Sequence, residues 1–314
     1  MRNVINQTTI AGRVYDHELA LKVSGNTSKN PGTEFINGVL NIATDEACIN
    51  VVPVHFSYVT ATTKTGAPNA TFTALKAIID GRVKTVMNDG KDAAATVRVD
   101  SAIGLNEFYS DRNGKEELVS TKRNEGGFVR LNEVLSENEN TRSAFKCDMV
   151  ITNVIHIEAD EEKGTPEKAI VKGVIFDFKK AILPVDFTAL NPDAINYYLS
   201  LEASPSNPIF TQLWGKQISQ TIVTRIVEES AFGENYVKEV PTTKKDFVIT
   251  GCKKESWEWD VEGSITAAEL KEAIAAREVY LADVKRRQDE YKASKASAAP
   301  TPAMAANSQD TFNF

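Results

Sequence analysis

At 314 residues the chain is long enough for two cores of ordinary size, since single domains usually run about 100–200 residues. Hydrophobic residues at 42% and charged residues at 25% are globular proportions and exclude wholesale disorder. A formal net charge of −7 excludes duplex binding driven by overall charge while leaving room for a local basic groove.

The first strand is expected from Val4 to Val14, curling past the glycine of Gly12-Arg13-Val14-Tyr15. The segment Ser24 to Gly32 is dense in turn formers and reads as a mobile polar loop. A second strand, Glu34 to Thr44, alternates around Phe35, Val39, Leu40 and Ile42, and a third follows from Cys48 to Val59. Pro53 gives that third strand an edge position or a bulge. Helical spacing over 71–88 sets Phe72, Leu75, Ile78, Ile79, Val83 and Val86 on one apolar face. Two long strands, Ala95 to Phe108 and Leu118 to Val134, then form a hairpin whose tip, Ser110 to Lys115, carries the Asn113-Gly114 turn signal.

The same order recurs. Strands are expected at Phe145 to Glu158, Ala169 to Phe178 and Ala181 to Phe187, the first two flanking the acidic turn EADEEKGTPE. Asn191-Pro192-Asp193 opens a short helix through Leu201. Strands over Trp214 to Glu229 and Phe247 to Trp257 complete the set, joined by a loop containing Phe232. From Ser264 the chain is rich in strong helix formers without Gly or Pro, so one long helix is expected, with Leu270, Ile274, Leu281 and Val284 in a narrow stripe. The last residues, dominated by Ala, Ser, Pro, Thr and Asn, are expected to be disordered, with Phe312 and Phe314 exposed. The expected division is 1–140, 141–262, a helix over 263–294 and a tail over 295–314.

Chemistry-bearing motifs are scarce. Cys48, Cys147 and Cys252 are too far apart for a disulfide framework and read as reduced thiols. His17, His55 and His156 lie in no metal or nucleophile pattern, and no glycine-rich phosphate loop is present. The acidic run Glu158 to Glu162 reads as a solvated turn. No catalysis, cofactor or metal is expected. No stretch reaches the roughly 18 apolar residues of a membrane span, and MRNVINQTTIAGR has no basic region leading into an apolar run, so a cytoplasmic protein is expected.

Three strands, a helix and two strands is the order of an OB-fold, a five-stranded barrel that commonly binds oligonucleotides. The fold class expected is therefore mainly β with some α: two OB barrels, a C-terminal helix and a tail. The opening TTIAGRVYDHEL, the strand GTEFINGVLNIAT and the hairpin VRVDSAIGLNEFYSDRNGKEELVSTK resemble those of bacterial and phage single-stranded-DNA-binding proteins. In that family a first strand ending on a Gly-Arg or Gly-Asn step, a phenylalanine-led second strand and a tight hairpin tip recur. The resemblance covers residues 3–135 and implies single-stranded DNA as partner, in replication or recombination. It further implies recruitment of replication or recombination proteins by the chain end, here Asp310, Phe312 and Phe314. Two departures stand out. The tip carries a single acidic side chain, and a second barrel shares the chain where the bacterial form has one barrel per subunit and assembles as a tetramer. Such divergence is phage-like, and self-association through the long helix stays open.

Single strands are held by rings that stack bases and by cations tracking phosphates. In the first copy Arg13 and Tyr15, Lys29 and Phe35, Phe56 and Tyr58, then Phe108, Tyr109, Arg112, Lys115, Lys122 and Arg123 interleave in this way. If Phe108 and Tyr109 lie in regular strand they face opposite sides, so one ring points outward. Core packing is the competing reading for each aromatic, and solvated surface charge for Lys122 and Arg123. In the second copy Trp214 with Lys216 are candidates, as are Lys253 with Trp257 and Trp259, although that last pair, set among Glu255, Glu258 and Asp260, reads better as packing against the long helix. The other function class is a structural or protein-interaction protein, such as a virion component or an inhibitor, using the barrels as contact modules.

Overall fold

The computed structural model describes residues 3–26, 28–112, 114–160, 165–228, 230, 232 and 236–297. Strand β1 (Asn6–His17) alternates strictly, with Thr8, Ile10, Gly12 and Val14 inward. Gly12 is required by contact: a Cβ there would lie 1.9 Å from the carbonyl oxygen of Ala43 on the neighbouring strand. After the short β2 (Ala20–Val23) come β3 (Glu34–Ala43), β4 (Val51–Thr60), helix α1 (Ala70–Ile79), the single turn α2 (Val86–Asp89), β5 (Thr96–Arg112) and β6 (Lys115–Leu131). Pairing of β1 with β3, β3 with β4, β5 with β6 and β1 with β5 is antiparallel. The ring closes where Val54 and His55 of β4 run parallel to Asn124 and Glu125 of β6. That closure and order define an OB barrel. Its interior is filled by Ile10, Val14, Ile36, Leu40, Val54, Phe56, Val97 and Val99, and α1 adds Phe72, Leu75 and Ile78. Pro53 sits in β4 just before the two-residue parallel contact, paired with Asn41 on its other side, so its missing N–H costs the ladder little.

The single helix expected over 71–88 is two pieces. Asn69 caps α1 by accepting from the Thr71 amide, and the helix stops at Asp80 because Gly81 turns left-handed (φ +70). The amides of Gly81 and Arg82 fold back onto the carbonyls of Ile78 and Ala77, both at 3.0 Å.

The second barrel repeats the order: β7 (Ser143–Ile157), β8 (Lys168–Phe176), β9 (Ile182–Ala189), α3 (Pro192–Ser200), β10 (Ile209–Glu228) and β11 (Tyr236–Cys252). It too is closed by a parallel contact, Thr188 and Ala189 of β9 beside Val248 and Ile249 of β11. Phe145, Phe187 and Phe247 form its aromatic centre, with ring centroids 5.0–6.1 Å apart. Ile195 and Tyr198 of α3 pack into the same core. The protein is thus mainly β, built from two OB barrels. Strands β10 and β11 are longer than their apolar cores suggest and form an extended arm, paired from Leu213–Cys252 to Glu228–Tyr236.

The barrels are fused. Residues 6–10 of β1 pair antiparallel with residues 143–147 of β7, so one 11-stranded sheet runs through both. Beside this seam Asn124 and Gln217 exchange buried amide hydrogen bonds of 2.8 and 2.9 Å. Asn50 reaches across the same junction, donating to the Gln217 carbonyl (3.2 Å) and accepting from the Ser219 amide (2.6 Å).

Helix α4 (Ala267–Ser297) begins at a capping box in which Thr266 and Glu269 bond each other's amides, at 3.0 and 3.1 Å. Trp257 and Trp259 do not share a strand face, because β11 ends at Cys252. They lie in the irregular segment before α4 and pack with Phe210, Ile265, Leu270 and Ala273, as packing against the helix requires. Farther along, α4 reaches the first barrel, where Arg277 pairs with the buried Glu107 at 2.5 Å. No helix among the described residues is long and apolar enough to cross a membrane.

Candidate nucleic-acid interface

An OB barrel offers oligonucleotides the face of its second and third strands and the loops joining strands one to two and four to five. In the first barrel these are β3, β4, the segment from Glu18 to Thr33 and the tip of the β5–β6 hairpin. Alternation along β4 sends Val52, Val54 and Phe56 into the core, so Phe56, at 2% exposure, is not available for stacking. Tyr58 is 48% exposed, and its ring lies 4.5 Å from that of Phe35, tilted by 34°. Its hydroxyl is 3.2 Å from Ser24 Oγ, which ties the pair to the first loop. Beside this pair the register of β2 with β3 sets Lys22 opposite Phe35, and Lys29 is exposed in the loop beyond. Lys22 was missed in the sequence because β2 has no apolar alternation to mark it as a strand.

The hairpin divides its residues as period two demands. Phe108 faces solvent at 41% exposure, while Tyr109 turns toward α4, whose Gln288 accepts from its amide at 2.8 Å and whose Lys285 lies 5.6 Å from its ring centre. Lys115 is exposed, the side chain of Arg112 lies outside the described set, and Asn113 is likewise not described. Glu116 holds Lys292 at 3.0 Å and Lys285 at 3.1 Å, and these two hydrogen bonds depress its carboxyl pKa.

Lys122 and Arg123 serve the junction. Lys122 pairs with Asp186 of the second barrel at 2.5 Å and stands 5.4 Å from the centroids of Phe187 and Phe247. Arg123 pairs with Glu125 at 2.8 Å and, with His55 and Lys245, lines an inter-barrel cleft of about 180 Å³. Burial and the neighbouring Arg123 charge lower the His55 pKa, disfavouring the charged ring. On β1, Tyr15 is half-buried and Arg13 lies 3.4 Å from Glu46, which Arg142 also engages at 2.7 Å.

The second barrel differs. On its β8–β9 face the aromatic residues, Phe176 and Phe187, are both buried, and the outward positions are Lys168, Ile170, Lys172, Pro184 and Asp186. Trp214 and Lys216 lie instead on β10 alongside β7. Trp214 is 39% exposed and rests on Gly251, and Lys216 donates to Asn140 Oδ1 at 2.8 Å. Lys253 is committed to the Trp257 ring, 3.4 Å from its centroid. The tail residues Asp310, Phe312 and Phe314 lie outside the described residues.

A crystal structure of a deletion mutant of the single-stranded DNA binding protein from Thermus aquaticus aligns with a TM-score of 0.45 at 9% identity, covering 83% of this chain and 98% of that one. No curated protein matches the sequence. A profile of one protein family, described as YorF, matches residues 5–287.

Proposed function

The chain belongs to the YorF family, and from the build of its two barrels we propose that it is a non-enzymatic, sequence-tolerant binder of single-stranded DNA. The observation that carries this reading is the Phe35–Tyr58 ring pair on the β3–β4 face, with Tyr58 exposed and Phe35 half-buried, flanked by Lys22 and Lys29. Rings stack on any base and lysines follow the phosphates, so such a face takes a strand without reading its sequence. Phe108 and Lys115 extend it along the hairpin, and a strand laid across both would meet rings at each end. The second barrel, lacking outward rings on its own β8–β9 face, acts there as support.

The roles that follow are protection and organisation of DNA in replication or recombination, in the cytoplasm and in a phage setting, with Asp310, Phe312 and Phe314 recruiting protein partners. The functional division we adopt is 1–140 and 141–262 for the barrels, 263–294 for the helix and 295–314 for the recruiting tail.

The test is a fluorescence-anisotropy titration of labelled oligo-dT of about 30 nucleotides against the matching duplex at two salt concentrations. Binding to the single strand alone, weakened by salt, is expected. Absence of binding at low salt would overturn the proposal and favour barrels that contact protein.

A further inference from the structure

The seam between the barrels carries a second exposed surface. Register aligns its residues in rows across six strands. One row runs Phe128, Asp100, Thr9, Ala144 and Lys216, from β6 through β5, β1 and β7 to β10. The next runs Gln7, Lys146, Trp214 and Gly251, ending on β11. Directly opposed residues point to the same side of a sheet, and the burial pattern shows that this side is outward: Phe128 is 72% exposed, Trp214 39%, and Gln7 and Lys146 are exposed between them.

The platform is built. Gly127, at φ +120, allows β6 to pass so close to β5 that a Cβ there would sit 2.4 Å from the Asp100 carbonyl oxygen, and the bulge presents Phe128 to solvent. Gly251 likewise admits the Trp214 indole, since a Cβ there would lie 2.5 Å from Nε1. The floor between these rings is low, made of Thr9, Ala11 and Ala144. Its charge is net positive, the acids on it being Asp100 and Glu125, the latter paired with Arg123 at 2.8 Å. Arg98 and Arg130 share Asp100, at 3.0 and 2.9 Å, leaving one positive charge in excess, and Lys146 and Lys216 add two more. Four strand spacings of about 4.8 Å separate the columns of Phe128 and Trp214, roughly 19 Å.

We propose that this seam platform is a second contact surface for single-stranded nucleic acid, in which Phe128 and Trp214 stack bases and Lys146, Lys216 and Arg130 follow phosphates between them. The inference rests on the strand-binding reading above and extends it from the β3–β4 face of one barrel to a track shared by both. A second copy of the chain is the less suited occupant, because packing the platform against itself would oppose like charges.

The test compares the full chain with Y58A and with the seam variant F128A/K146E, on oligo-dT of about 8 nucleotides, within the roughly 4–16 covered by one barrel, and of about 30. Y58A is expected to weaken both lengths. The seam variant is expected to bind the short oligonucleotide as the wild type does and the long one about tenfold more weakly, mainly through lost stacking and ionic contacts. A benzophenone side chain introduced at position 128 should cross-link the long oligonucleotide. Wild-type affinity of the seam variant for both lengths, without cross-linking, would overturn the seam inference alone. A wild-type chain that binds neither length would overturn the strand-binding reading and this inference with it. A wild-type dimer in sedimentation that the seam variant converts to monomer, with DNA affinity unchanged, would assign the platform to a second copy.

Discussion

Tyr58 is the residue on which the proposed interface depends most, because its neighbour Phe35 is half-buried and Phe56, two positions earlier, is sealed in the core. Replacing it with alanine should cost about 1–3 kcal/mol of single-strand affinity, the usual worth of one stacked base, and Y58F should retain most of it. Anisotropy titration reads both. The same alternation explains how far the sequence could be followed: period two separated Phe108 from Tyr109, but which of the two meets solvent depended on α4, more than 170 residues away. A pH effect follows from Asp100. Burial alone would raise its pKa, yet the hydrogen bonds from Arg98 and Thr9 and the charges of Arg98 and Arg130 lower it below the ordinary 3.8. A carboxyl with a depressed folded-state pKa adds stability above its unfolded value, and that stability is lost as pH falls through the folded one. Urea midpoints measured between pH 6 and pH 3 should therefore fall less steeply in D100N than in the wild type.

Among the elements, α4 is held in two different ways. Near its start Leu270 and Ala273 enter an apolar cluster and Arg277 meets Glu107, whose side chain is 1% exposed; near its end Lys285 and Lys292 pair with Glu116 at half-exposed positions. Removing one partner of a buried pair typically costs about 3–5 kcal/mol, whereas an exposed pair contributes little. R277A should thus destabilise the protein strongly in chemical denaturation, and K292A should leave the midpoint nearly unchanged. The helix itself was legible from its composition, and the β5–β6 hairpin from its Asn-Gly turn. The break after α1 was not, because Val83 and Val86 continue the apolar spacing past Gly81. Nor was the first half of β11: Tyr236, Val237, Lys238, Thr243, Lys244 and Lys245 are all exposed in an arm paired with β10, so they show no alternation to read.

For the whole molecule, the recurrence of one strand and helix order made two barrels readable, but nothing local announced that they share a sheet. The amide pair of Asn124 and Gln217 joins residues 93 positions apart, and Lys122, which reads as a solvated surface charge, bridges to Asp186. With β1 paired into β7 as well, the barrels are expected to melt in a single calorimetric transition. Q217A, which removes the donor to the buried Asn124 Oδ1 while Asn124 Nδ2 keeps the Pro53 carbonyl, should lower stability by about 1–3 kcal/mol without splitting that transition. The shared sheet also bears on how the chain is made. During synthesis the first barrel can close as soon as β6 has emerged, yet residues 6–10 of β1 then present an unpaired edge until residues 143–147 follow. An open edge is a template for the wrong neighbour, so for the interval needed to translate the 16 residues from Asn132 to Cys147, each nascent chain exposes the same half-strand that a β7 from an adjacent ribosome could fill.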